Sequence, residues 1–491
     1  MYPHDQKQTE FVLPFDGQLS PDNRWVKLAK LIPWSKFETD YSKSLKGSEK
    51  GPPAKSVRVA LGSLIIKEKL GTSDIETVQQ IRENPYLQYF LGFNEFSDEE
   101  PFHPTMLVHF RKRITRETIG KVNDLVADKA KSPEAESSDK DDNDKPKGDG
   151  TPPGNRGKLL VDATCGPADI TFPTDLKLLN KAREKSEEII DILHEPYIGI
   201  RPKPRTYRKK ARKNFLSIAK SKRASKSKRR KAIRKQLGYL ERNLKAIAKL
   251  YTGENNLFAL DKRQYKNLLV INEVLRQQKW MYENRENKIQ DRIVSISQPH
   301  VRPIKRGKAG AATEFGAKLS ASLVDGYCFL DRVDWDNYNE SGDLIGQVES
   351  YRKRFGFYPA SVHADKIYRN RKNRQFCKGH EIRLSGPPLG RPPKDLTKRL
   401  ESRSLARQDE IDRIPIEGKF GQAKRRFSLS RTMCKLSQTS ETAIAIVFLV
   451  MNLEKWLKDI LTYFFAWLVD HCMERKTRVE LLGCNQVELA L

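Results

Sequence analysis

Apolar positions first settle into a helical rhythm at Ser56. Val57, Ala60, Leu61, Leu64, Ile65 and Leu70 fall on one face, as a buried helix requires. Gly71 stops that helix and Ser73 caps the next, Asp74 to Glu83. A third helix spans Pro85 to Leu91 and ends at Gly92, and a fourth runs from Thr105 to about Glu117. Upstream, residues 1–55 read as irregular, with Trp25, Leu28, Leu31, Ile32 and Trp34 marking one short docking helix. The period then changes to two. Lys158 to Thr164 is a short strand with Leu159, Val161 and Ala163 on one side and Leu160 and Asp162 on the other. After Phe172-Pro173-Thr174-Asp175 the helical rhythm returns for over a hundred residues. Its stripe is Leu237, Leu240, Leu244, Ile247 and Leu250, continued by Tyr265 to Glu283. Strands are expected again at Ile293–Ile296, Lys318–Leu323 and Tyr327–Val333, the last two joined by the hairpin signal Asp325-Gly326. A helix over Leu344–Phe355, a strand over Ala360–Asp365 and a short strand over Glu381–Leu384 follow. The loop GPPLGRPPK then leads from Gly386 to a helix entered at Pro415, which suits a first helical position. An apolar helix from Thr442 to Leu461 is placed to cover the sheet.

The helix after Pro415 sets side chains out by face. Ile416, Phe420, Ala423 and Phe427 form a core-facing stripe, while Glu417, Gly421, Lys424 and Ser428 share the adjoining face. Arg413 joins them if the helix reaches back past the proline. A carboxylate, a bare backbone position and cations together suit a site for a metal ion and a phosphate chain; an ordinary surface helix with a Glu–Lys neighbourhood gives the same pattern. Asp162 and Asp365 each stand near the end of an apolar strand, where a carboxylate is costly unless solvated, paired or ligated. For Asp162 the alternative is a strand-end aspartate that caps the next turn. Asp331, Asp334 and Asp336 read as turn residues.

Charge narrows the partners. The 491 residues carry a formal net charge of +29, and the length suggests two or three domains. From Arg201 to Lys235 about half the residues are Lys or Arg, with no acid, and Tyr207, Phe215, Leu216 and Ile218 interleave. Such a block repels itself unless an anion neutralises it, and phosphate contacts make binding steeply salt-dependent. A solvated helical face is the bland alternative. Arg111, Lys112, Arg113 and Arg116 make the fourth N-terminal helix basic. Helix–turn–helix patterns of this kind read DNA in many proteins and touch none in others. Six scattered cysteines include no C-x-x-C pair, which disfavours a zinc site and fits reduced thiols in the cytosol. The first residues show no signal peptide, and the longest apolar run, Ala443 to Leu453, is too short to span a bilayer. Residues 131–157, charged and rich in Pro and Gly, read as a disordered linker.

Taken in chain order, Asp162 on a first strand, Asp365 on a later strand and Glu417 on the following helix resemble the acidic triad of a ribonuclease H-like core. With their neighbours they resemble the DDE transposases of bacterial insertion sequences, of the insertion-sequence-five type. The matching text is Val161-Asp162-Ala163-Thr164 with Phe172-Pro173-Thr174-Asp175, then Ala364-Asp365-Lys366-Ile367-Tyr368, then Pro387-Pro388-Leu389-Gly390-Arg391-Pro392. Arg413, Glu417 and Lys424 complete it at the family's spacing; the tyrosine of that motif falls on Glu410, a departure that touches only that side chain's role. The helical segment Ser56–Arg116 is similar to the domain preceding the core in this family.

The resemblance implies an α/β chain, α+β overall, with a ribonuclease H-like mixed sheet flanked by helices. Its domains are an irregular segment (1–55), a helical DNA-end-binding domain (56–130), the linker (131–157), a catalytic domain (158–465) interrupted by a basic helical insertion (176–290), and a tail (466–491). It also implies two Mg2+ ions, with Mn2+ as a substitute, held by Asp162, Asp365 and Glu417 about 4 Å apart, Asp162 bridging. One ion would activate water and the other would stabilise the leaving 3′ oxygen. The freed 3′ hydroxyl would then attack target DNA. DNA contacts are assigned to Arg413, Lys424 and Arg425, to Arg111, Lys112 and Arg113, and to Lys209, Lys210, Arg212, Lys213, Arg229 and Arg230. The partners are double-stranded DNA, as terminal inverted repeats and target, and a second copy of the chain on that DNA. The expected place is the cytoplasm, at the nucleoid, with no membrane. A DNA-end-binding protein without activity and a ribonuclease H-like nuclease without strand transfer are the competing readings.

Overall fold

The computed structural model describes residues 11–13, 17–45, 53–131, 154–251, 259–305, 313–387 and 395–484, with the side chains of 129–131, 251 and 463–484 left aside. Most of the expected linker, most of the GPPLGRPPK loop and residues 485–491 lie outside them.

Among the described residues seven α-helices precede the first strand: α1 (Arg24–Leu31), α2 (Glu38–Lys43), α3 (Val57–Leu70), α4 (Asp74–Glu83), α5 (Pro85–Phe90), α6 (Met106–Arg113) and α7 (Arg116–Lys131). The stretch expected to be irregular with one short docking helix holds that helix as α1 and a second, α2; Trp25, Leu28, Trp34, Phe37 and Tyr41 are all buried in the core. Ser56 and Ser73 cap α3 and α4 with their side chains, and Gly71 ends α3 at φ +69°. The expected fourth helix is in fact two. Ile114, buried and extended, breaks it between α6 and α7.

Strand β1 (Lys158–Pro167) opens the sheet, and helices α8 (Asp175–His194), α9 (Arg208–Ala219), α10 (Lys226–Tyr251) and α11 (Lys262–Asn284) follow. They pack on one another through Leu179, Ala182, Leu240, Ile271 and Val274, and through Ile189, Ile190, Ile247 and Leu268. The helical excursion thus builds its own cores. Ile293–Ile296 is buried but forms no strand, because its backbone pairs with no ladder.

The chain returns through β2 (Arg302–Lys305), β3 (Thr313–Val324), β4 (Tyr327–Asp334), α12 (Leu344–Phe355), β5 (Ser361–His363), α13 (Arg371–Gly379), β6 (Arg383–Leu384), α14 (Leu396–Arg426) and α15 (Ser437–Cys484). Asp325 at φ +49° and Gly326 at φ +84° turn the β3–β4 hairpin, the backbone of a type I′ turn. Among the described residues the sheet has six strands. β1 pairs antiparallel with β3 and parallel with β5, and β5 pairs parallel with β6. β2 and β4 follow one another along the other edge of β3. Antiparallel strands thus lie on one side of β1 and parallel strands on the other, a mixed sheet flanked by helices of the ribonuclease H-like kind.

Helix α14 differs from expectation. Asp395 caps it, accepting from Thr397 N at 2.9 Å, and Pro415 sits in its interior. Proline there removes the hydrogen bond to the carbonyl four residues back and opposes the helix by about 3 kcal/mol. Burial of Ile416, Phe420 and Ala423 on the core offsets that cost, since each large apolar side chain contributes about 1.5–3 kcal/mol. The final apolar helix is likewise longer than read, and the expected tail from 466 continues it to Cys484.

One core joins the N-terminal helices to the sheet: Leu61, Leu64, Phe110 and Val122 belong to the same cluster as Val161, Leu319, Phe420 and Phe448. Polar contacts reinforce it. Glu68 of α3 accepts from Ser428 N at 2.7 Å and Ser428 Oγ at 2.6 Å, just past the end of α14. Its neighbour Lys69 pairs with Glu454 of α15, which also holds Arg426 at 3.0 Å.

Candidate active site

Strand pairing brings the first two acids together. In the β1–β5 register Leu160 stands opposite His363, so two residues further on Asp162 is level with Asp365. Asp162 accepts from Ala163 N at 2.8 Å. Asp365 caps the turn Lys366–Tyr368 and accepts from Lys366 N at 2.6 Å. Glu417 reaches the same place from α14, whose buried stripe fixes its rotation. All three line one open pocket of about 640 Å³, together with Arg413, Gly421 and Lys424.

Because α14 runs back past Pro415, Arg413 stands between two of the acids. Its guanidinium lies 3.8 Å from Asp162 Oδ2 and 3.0 Å from Glu417 Oε1. Burial pushes the Asp162 carboxyl up to about 6; the Ala163 N–H and Arg413 pull it down, and the charges of Glu417 and Asp365 add to the rise. The pocket wall is therefore rich in carboxylate charge. Such oxygen donors suit a hard divalent cation, and the donor set fits one. Among the described residues, however, no three such side chains are gathered closely enough to hold an ion as they stand. Arg413 takes the place between Asp162 and Glu417.

The sequence barely marked two further residues that line the pocket. Lys318 of β3 pairs with Glu340 and donates to Tyr338 O at 2.6 Å, adding a cation and a fourth carboxylate to the pocket. A lysine between Ala317 and Leu319, both fully buried, was the only hint. Asp331 and Asp334 belong to β4, not to a turn. Asp331 is buried against Gln347, Asp334 is paired with Arg332, and neither lines the pocket.

The other cations separate into exposed groups and internal struts. Lys112 is exposed and Arg113 half-buried, but Arg111 is buried and makes two hydrogen bonds to Asp74, at 3.1 and 2.5 Å. Its guanidinium is directed at Asp74, the first residue of α4. Arg425 is exposed, on a different face of α14 from Lys424. Lys209, Lys210, Arg212 and Lys213 are exposed on α9, as is Arg229 on α10. Arg230 instead stacks on Tyr282 at 4.0 Å and donates to its carbonyl at 2.8 Å. No helix of the described residues is long and apolar enough to cross a membrane.

Comparison with known proteins meets this geometry. Residues 362–454 match the family model described as a transposase DDE domain, a span that includes Asp365 and Glu417. Residues 13–113 match a second model, described as a transposase domain (DUF772). The uncharacterized protein ORF8 in the nfe locus of Rhizobium meliloti is 29% identical over 181 residues, 37% of this chain and 79% of that protein. No solved structure matches.

Proposed function

Since the chain belongs to the DDE transposases of insertion elements, enzymes of DNA cleavage and strand transfer that use divalent metal ions, we propose that Asp162, Asp365 and Glu417 are its catalytic acids. The observation that carries this is their convergence on one pocket from three separate elements, Asp162 and Asp365 through the β1–β5 register and Glu417 through the burial of α14. Bound Mg2+, two ions per site, would supply Lewis acidity for the attacking water and the departing 3′ oxygen.

The chain's own groups set the rest. The three carboxylates would hold the cation charge, Asp162 from β1, Asp365 from the end of β5 and Glu417 from α14. Arg413 balances the carboxylates in the metal-free pocket and, displaced toward its mouth, pairs with a phosphate oxygen beside the cut. Lys424, about three turns further along α14 and about 16 Å away, pins a phosphate farther along the strand. Gly421, with no side chain, lets the strand pass close to α14. The terminal 3′ hydroxyl released by hydrolysis then lies in the same pocket, positioned to attack target DNA. The spacing of Arg413, Glu417 and Lys424 favours the insertion-sequence-five type. Both element ends must be cut together, which calls for two copies of the chain on DNA at the nucleoid.

The test is nicking of a labelled duplex carrying the element's own end, with Mg2+, by wild type, Asp162→Ala and Glu417→Ala. Wild type should cut one phosphodiester, and both variants should bind equally well without cutting. A variant that cuts at the normal rate removes its residue from the site. Cutting without strand transfer would leave a nuclease, and binding without cutting in all three an inactive end-binder.

A further inference from the structure

The segment after Asp365 builds a second, strongly basic recess. Arg369 follows the turn Lys366–Tyr368, Arg374 and Lys378 project from α13, and Arg383 begins β6 at the parallel edge of the sheet. With Cys377 and Glu381 they line an open pocket of about 400 Å³. Arg383 is neutralised by Asp409, which it meets at 3.0 and 2.7 Å. Arg369 is not: its donors go to the carbonyls of Ser385 and Pro387, which carry no net charge. Burial, followed by the charge of Arg374, holds the Arg369 guanidinium below its ordinary value. Arg374 bonds only weakly, Nε to Asn370 O at 3.4 Å, and its Nη1 is buried with no hydrogen-bond partner among the described residues.

A buried guanidinium N–H without an acceptor is costly, and guanidinium groups match phosphate oxygens in charge and geometry. Among the described residues the one carboxylate lining the recess is that of Glu381, which is exposed to solvent, and the sequence from Pro388 to Lys394 contains no acid.

Building on the transposase reading, we propose that this recess is a phosphate-binding site for the DNA backbone close to the cut, held chiefly by Arg374 and Lys378. From Asp365 to Arg374 the chain spans at most about 21 Å: about 10 Å to Arg369 through the turn Lys366–Tyr368, at about 2 Å per residue, about 7 Å over the two residues that lead into α13, and about 4.5 Å along α13 from Arg371. At 3.4 Å per nucleotide the contacted phosphate lies within about six nucleotides of the cut. The recess thus extends the strand's track from the acidic pocket to the edge of the sheet and sets the angle at which DNA leaves it.

The test scans the element-end duplex with neutral methylphosphonate at one position at a time. Binding of full-length wild type, Arg374→Ala and Lys378→Ala is measured in EDTA. With wild type, neutralising one or two phosphates within about six nucleotides of the cut should weaken binding about tenfold. In each variant that penalty should fall below about twofold, penalties elsewhere should persist, and the salt slope should drop by about 0.9 per phosphate lost. Lys378 is exposed, so its variant keeps the test valid if Arg374→Ala misfolds. An unchanged profile in the folded variants overturns the proposal. So does a loss of self-association with the profile intact, which would assign the recess to an acidic surface of a second copy. If wild type binds the duplex with no position-dependent penalty, the transposase reading of the neighbouring pocket fails as well.

Discussion

Replacing Asp162 with asparagine should stabilise the metal-free protein while abolishing cleavage. The carboxyl moves from its ordinary 3.8 to about 6 on folding, so ionising it is harder in the folded chain than in the unfolded one. The sign follows: there is no penalty below 3.8, a growing one between 3.8 and 6, and a constant one above. At 1.36 kcal/mol per pH unit the full penalty is about 3 kcal/mol, and at pH 4 it shrinks to about 0.6 kcal/mol. The value of about 6 already includes the opposing pull of Arg413, and an asparagine oxygen can still accept the Ala163 N–H. With an unfolding entropy of about 2.1 cal/mol/K per residue, a chain of this length melting as one unit gains about 3 °C. Thermal melts by circular dichroism in EDTA, at pH 7.5 and pH 4, measure it. Added Mg2+ should raise the wild-type Tm and leave Asp162→Asn unmoved, since binding to the folded state alone stabilises it. A variant that melts at or below wild type at pH 7.5, or a gain that persists at pH 4, would refute the reasoning.

Arg111→Ala should destabilise by about 1–3 kcal/mol in urea titrations by removing both hydrogen bonds to Asp74, which keeps only Lys67 at 3.3 Å, whereas Lys112→Ala should leave stability unchanged and lower the salt slope of DNA binding. Glu68→Ala should cost about 1–3 kcal/mol, because Ser428 N and Oγ lose their acceptor; single-turnover cutting should fall more than DNA affinity, since Ser428 follows directly on α14. Converting Lys209, Lys210, Arg212 and Lys213 together to alanine should flatten the salt dependence of DNA binding by about 0.9 per phosphate contact removed with no change in Tm; an unchanged slope would make α9 a merely solvated face.

Much of the fold was legible because it is written in local periodicity. The alternation around Val161 marked the central strand, Asp325-Gly326 marked the hairpin, and the interval from Arg413 to Lys424 marked one helix face. Local preference failed where distant packing decides. Pro415 favours a first helical turn, but the Asp395 cap and the burial of Ile416 and Phe420 carry α14 through it. Ile293–Ile296 has strand composition and no strand neighbour. The cations were legible as charge and not as contacts. Arg111 finds Asp74 across 37 residues, Lys318 finds Glu340 across a hairpin and a turn, and Arg369, Arg374 and Arg383 meet only because β6 returns beside β5. No window of sequence contains such pairs.

The grip of α3 on the far end of α14 limits how this enzyme can be re-engineered. Exchanging residues 24–131 for a foreign reader of DNA ends would strip the apolar cover from α15 and release Ser428 and Glu454 at once. A chimera would have to bring along a matched α15, and a fragment starting at the first strand should be recovered as aggregate. A changed N-terminal surface is therefore easier to reach by substitutions on the intact bundle than by trading modules.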